Sequence, residues 1–136
     1  MAYFLVKTEP GAYSFDELVG EGETVWDGVT NDLALKNMRG MKTGDLCFIY
    51  HSGSEKAVVG IARVTRTLVD AGKPGSVKAP VVYIEAVKRL ATPVSLSELK
   101  KVKGLRDFDL IRLPRLSVMQ VPEEVWSLIL KLSEER

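Results

Sequence analysis

Three β-rich segments follow one another with too little suitable chain between them to hold crossover helices. Leu46 to His51, Ala57 to Val69 and Val81 to Leu90 are rich in Val, Ile, Thr and aromatic residues; only Ser52-Gly53-Ser54-Glu55 and the Gly/Pro/Ser stretch Asp70 to Lys78 join them. Parallel neighbours need a crossover of about a dozen residues or more, usually helical, so the three segments must form an antiparallel meander. Gly60, inside the second segment, marks a bulge or a bend. The rest of the chain has to cover this sheet.

Flanking segments supply the cover. Tyr3 to Lys7 reads as a strand ending at the turn Thr8-Glu9-Pro10-Gly11. Ser14 with Glu17, and Ser95 with Glu98, are capping boxes, which predict one helix stopping near Gly20 and another running to about Lys101 with Gly104 as its exit. Thr24-Val25-Trp26 is a short strand before an Asp27-Gly28 turn, and Asn31 caps a helix over Asp32 to Arg39 closed by Gly40. Lys42-Thr43-Gly44-Asp45 is a further turn. Arg106 to Arg115 has no clear period, Leu116 to Val121 is a last strand, and Pro122 opens a C-terminal helix with Val125, Trp126, Ile129 and Leu132 on its apolar stripe. Five or six strands with short helices between them give an α+β domain whose sheet is curled or closed.

With 136 residues, 46% of them hydrophobic and 27% charged, the chain is expected to fold as one domain, residues 1–136, around one core. Its apolar runs are far shorter than the roughly 20 residues of a membrane span. The N-terminus lacks a signal-peptide pattern, so a cytoplasmic location is expected, or a nuclear one in a eukaryote. One cysteine, Cys47, and one histidine, His51, exclude a disulfide scaffold and a structural zinc site. The net charge is +1, but Glu9 to Asp27 holds six acidic residues and no basic one, whereas Lys88 to Arg115 holds eight basic residues against three acidic ones. Such stretches are either solvated faces or the two poles of a charged molecule.

No Gly-x-Gly-x-x-Gly or P-loop motif is present, and Cys47 and His51 on one short strand are poorly placed to act as a nucleophile and base. No cofactor or metal is implied. What remains suits recognition. Trp26 stands at a strand end, where its indole either packs in the core or opens on a cleft. Tyr50-His51-Ser52 lies where a buried strand emerges, as strand-end polarity or as hydrogen-bonding groups at a barrel mouth. Asn31 is explained by capping alone.

Phe4-Leu5-Val6-Lys7-Thr8-Glu9-Pro10, Tyr13-Ser14-Phe15-Asp16, Val25-Trp26-Asp27-Gly28-Val29 with Asn31, and Phe48-Ile49-Tyr50-His51-Ser52 together resemble EVE-domain proteins. Met38-Arg39-Gly40-Met41-Lys42, Val59-Gly60-Ile61-Ala62 and Arg115-Leu116-Ser117-Val118 continue the resemblance in order and spacing over nearly the whole chain. It implies a PUA-like fold, a small mixed β-barrel related to YTH and ASCH domains, and a partner that is DNA or RNA carrying a modified base, methylated or hydroxymethylated. By similarity Trp26 would wall an aromatic pocket, with Asn31, Tyr50, His51 and Ser52 beside it and Leu116 and Ser117 contributing from the last strand. Lys36, Arg39, Lys42 and Arg115 are the expected phosphate contacts. Where the family typically reads Trp-Asp-Gly-Val-Arg-Asn-Tyr-Gln-Ala-Arg, this chain carries Thr30, Asp32, Leu33 and Leu35 instead of the Arg, Tyr, Gln and second Arg. The expectation is a non-enzymatic reader. Its rivals are an enzyme acting on a small molecule or nucleotide with His51 as general base in the same cleft, and a protein-interaction module using the C-terminal helix or the loop Asp70 to Lys78.

Overall fold

The meander forms the middle of a six-stranded mixed sheet in the order β2-β5-β4-β3-β1-β6. The computed structural model describes residues 1–27, 29–68 and 80–134. Its elements are β1 (Tyr3–Thr8), α1 (Phe15–Glu21), β2 (Glu23–Trp26), α2 (Asp32–Arg39), β3 (Leu46–His51), β4 (Ala57–Leu68), β5 (Val81–Ser95), α3 (Leu96–Lys100), α4 (Asp109–Arg112), β6 (Val118–Gln120) and α5 (Glu123–Glu134). The loop at Asp70 to Lys78, Val69 and the glycine of the Asp27-Gly28 turn lie outside the described residues.

β3, β4 and β5 pair antiparallel. β1 pairs parallel with β3, from Tyr3↔Leu46 to Thr8↔His51, and β6 adds antiparallel to its free side. β2 pairs antiparallel with β5 at the opposite edge. The sheet therefore curls as a half-barrel with β2 and β6 as its two edges. β3, at its centre, is buried from Cys47 to His51, which explains why its sequence shows no polar alternation.

Helix starts follow their caps. Ser14 Oγ accepts the Glu17 N–H at 3.2 Å while Glu17 Oε1 accepts the Ser14 N–H at 3.3 Å, and Ser95 with Glu98 repeats the arrangement. Asn31 Oδ1 accepts the Ala34 N–H at 3.0 Å. Asn37 Nδ2 donates to the Val118 carbonyl at 2.8 Å, tying α2 to β6, and Ser133 Oγ bonds both backbone groups of Thr92, tying α5 to β5. Trp126 stacks on Phe48 at 3.8 Å and Tyr3 at 4.5 Å between ring centroids, so it is core as its helical spacing predicts. The acidic stretch meets cations of the sheet: Asp16 pairs with Arg89, and Glu23 pairs with Arg66 at 3.4 Å.

Three features differ from expectation. β5 runs on to Ser95, because residues 90–93 bulge out between the Arg89↔Gly60 and Val94↔Val58 pairs and give Pro93 a position that needs no ladder N–H. The segment read as aperiodic contains the single turn α4, whose start has no side-chain cap. The last strand is shorter, Val118–Gln120.

Gly60 sits at the bulge under the Phe15 ring, and a Cβ there would meet Phe15 Cζ at 2.5 Å. Gly60→Ala should therefore cost about 1–3 kcal/mol by overpacking, seen as a lower midpoint in urea unfolding. Cys47 is fully buried, and burial, with the Asp45 carboxylate behind it, pushes its thiol from 9.0 up to about 12. The folded thiol should resist alkylation at pH 8 and react once the chain is unfolded. Because the unfolded thiol ionises first, stability should fall as pH rises from 9 towards 12.

Candidate functional site

The two edges of the sheet do not meet, and a cleft of about 600 Å³ occupies the seam. One wall comes from the end of β1 and the approach to β6: Lys7, Thr8, Glu9, Arg115 and Ser117. The other comes from β2 and the segments around it: Tyr13, Glu21, Thr24, Val25, Trp26, Asp27, Val29, Thr30 and Asn31.

Trp26 is half-buried and resolves the choice between core and cleft by serving both. Together with Val29, Leu35, Met38 and Pro80 it borders a small apolar hollow of about 130 Å³, and it also lines the cleft. The Tyr13 ring meets it edge-on, 6.3 Å away at 76°. Burial pushes the Tyr13 phenol above its ordinary range, with Thr24 beside it opposing that shift and the Glu21 carboxylate adding to it. Across the cleft, Lys7 Nζ donates to the Pro114 carbonyl at 2.9 Å and lies 5.6 Å from the centre of the Tyr50 ring. Burial lowers the Lys7 pKa and raises that of Tyr50. Asn31 spends its Oδ1 on the α2 cap, which leaves its Nδ2 free to donate at the cleft wall.

Of the residues expected at the site, the cleft brings together Trp26, Asn31, Arg115 and Ser117. The others stand elsewhere. Tyr50 is buried beneath Lys7, and Leu116 is in the core. Ser52 donates its N–H to the Thr8 carbonyl at 2.9 Å but does not line the cleft. Lys36 and Arg39 lie on the exposed side of α2 and Lys42 in the turn before β3, outside the cleft.

His51 corrects the expectation of a general base in this cleft. It is buried, its Nε2 accepts the Phe15 N–H at 3.0 Å, and its Nδ1 lies 2.8 Å from Glu55 Oε1. An acceptor Nε2 requires the proton on Nδ1, which donates to Glu55. Nε2 therefore anchors the start of α1 to the end of β3, Nδ1 holds the turn that follows β3, and neither has capacity left for a substrate. His51→Ala leaves the Phe15 N–H buried and unpaired. It should cost about 1–3 kcal/mol and speed hydrogen exchange of the Phe15 amide.

Lys7, Thr8, Glu9, Tyr13, Glu21 and Thr24 are cleft residues that sequence reasoning did not assign to the site. The polar ending Lys7-Thr8-Glu9 of an otherwise apolar strand was the available signal, but its neighbours depend on the parallel β1–β3 register. Among the described residues no three His, Cys, Asp or Glu side chains cluster as metal ligands, and no helix is long and apolar enough to cross a membrane.

A curled, mixed, six-stranded half-barrel flanked by short helices is a PUA-like architecture, and a solved ASCH structure from Zymomonas mobilis shares the fold at a TM-score of 0.59 and 12% identity. Within that class, the family model described as the EVE domain matches residues 2–132, and the chain belongs to the EVE-domain family. A solved protein of Rhodopseudomonas palustris, Rpa0253, is 40% identical with a TM-score of 0.88, covering 98% of this chain and 93% of that one. Thymocyte nuclear protein 1 of Rattus norvegicus is 28% identical over 97% of this chain and 74% of its own length. The human THYN1 protein, solved in complex with 5-methylcytosine containing DNA, is 25% identical with a TM-score of 0.87, covering 100% of this chain and 99% of that one.

Proposed function

We propose that this chain is a non-enzymatic binding module that reads a modified base in DNA or RNA, with the base held in the seam cleft against Trp26. The observation that carries this is the half-buried indole on the wall of an open cleft that also presents Lys7, Arg115, Asn31 and Ser117. The likeness to the human protein solved with 5-methylcytosine containing DNA supports it.

A flipped or single-stranded base offers a π-face to an indole and a polar edge to nearby donors and acceptors. In this assignment Trp26 stacks, Asn31 Nδ2 and the Ser117 hydroxyl contact the edge, and Arg115 and Lys7 face the phosphates. Glu9, Glu21 and Asp27 on the same walls favour a base that presents an amino group, as cytosine and adenine do, because a carboxylate accepts from that amine. A buried methyl adds about 0.8 kcal/mol, roughly fourfold, so selectivity also depends on a polar group that an unmodified base leaves badly hydrated. Thr30, Leu33 and Leu35 bring no cation to this side, which leaves phosphate attraction to other lysines and arginines.

Stacking on an aromatic ring is worth about 1–3 kcal/mol, so Trp26→Ala should weaken binding of the preferred oligonucleotide roughly 5- to 150-fold and abolish discrimination between modified and unmodified bases. Fluorescence titrations with short methylated, hydroxymethylated and plain oligonucleotides measure both. Unchanged binding in Trp26→Ala would remove the cleft from the function.

A further inference from the structure

A second concave feature lies at the same end of the sheet. Thr8 pairs with His51, His51 with Ala57, and Ala57 with Ser95, so one row of strand ends runs from β1 to β5. The cleft occupies one end of this row. At the other, a groove of about 590 Å³ lies between the segment Ser54–Lys56 and α3, with Lys56, Lys100 and Lys101 along it. Ser52 and Gly53 connect the two features: the Ser52 N–H donates to the Thr8 carbonyl, and a Cβ on Gly53 would lie 3.1 Å from Glu9 Oε1.

Three carboxylates and three lysines stand along this rim, and the carboxylates are the ones engaged by backbone or histidine donors. Glu9 accepts the Ala12 N–H at 3.1 Å, Glu55 accepts from His51, and Glu98 is held in the α3 capping box. Lys56, Lys100 and Lys101 are exposed, and their side chains make no ion pair or hydrogen bond among the described residues. Lys56 also has φ +47, and it is the non-glycine residue with positive φ among those described. Its carbonyl accepts the Leu96 N–H at 2.8 Å, which fixes it at the groove. A turn that glycine or asparagine would adopt without strain thus holds a lysine.

We infer that this lysine groove binds the sugar–phosphate backbone of the same strand whose base occupies the cleft, so that the strand crosses the rim over Ser52, Gly53 and Ser54. The inference rests on the base-reading function proposed above. Four strand intervals separate β6 from β5. At about 4.8 Å each they span about 19 Å, along which a stacked strand carries roughly five phosphates. Phosphate oxygens are recognised there by charge alone, without sequence preference.

Anisotropy titrations with labelled single strands test this. Each strand holds one methylated, hydroxymethylated or plain base, either short or extended by about six nucleotides on its 5′ or 3′ side, between about 50 and 200 mM salt. Extension on one side alone should tighten binding by the wild-type protein. The triple variant Lys56→Gln, Lys100→Gln, Lys101→Gln should lose that gain. The slope of log K against log salt should become shallower by about 2, since each phosphate contact on a single strand contributes about 0.7. The preference among modified and plain bases should survive, and the urea midpoint should not move, because all three side chains are exposed. A triple variant with the wild-type slope and the wild-type gain overturns the groove assignment, and base reading then stands or falls separately on Trp26→Ala. A wild-type protein without preference for any modified base overturns the base reading, and with it the link between cleft and groove.

Discussion

The parallel pairing of β1 with β3 is the constraint on which the rest of the molecule depends. Two parallel neighbours cannot be joined by a tight turn, so residues 9–45 must leave the end of β1 and return to the start of β3. That crossover is not a single helix. It carries α1 across to the Gly60 bulge, lays β2 on the far edge beside β5, and brings α2 back to β6. One connection thus wraps the sheet from edge to edge, curls it, and supplies most of one wall of the cleft.

The charged and polar groups of this crossover divide their work between holding the wrap and facing the cleft. Asp16 and Glu23 reach arginines of β5 and β4, and His51 fixes the first N–H of α1. Glu9, Glu21, Asp27 and Asn31 remain at the seam. The Tyr13 ring sits where these two sets meet, packed at a steep angle to the Trp26 ring.

Much of the architecture is legible locally. The meander follows from connections too short for crossovers, both capping boxes and the Asn31 cap form with the predicted partners, and the apolar stripe of α5 places Trp126 in the core. Pairings between distant segments are not legible. No local signal in Tyr3 to Lys7 tells that it lies between β3 and β6, and without that register Tyr50 and His51 look like mouth residues rather than buried supports. The same gap hides Lys7 and Tyr13, which reach the cleft only because strands far apart in sequence end side by side. α4 escapes because a single turn without a side-chain cap has no period to detect. Of the residues the resemblance points to, Trp26 and Arg115 line the cleft, whereas Lys36, Arg39 and Lys42 lie outside it.

A sheet that stays open exposes two rows of unpaired backbone groups, which in most proteins invite the strand of another molecule. Here the two edges are the shortest strands of the sheet, four residues in β2 and three in β6, and α2 is bonded to the carbonyl of Val118 on one of them. A foreign strand would find too few consecutive partners to hold its register. Edges this short are poor templates for aggregation, and the protein can keep a permanent gap in its sheet without becoming adhesive to itself.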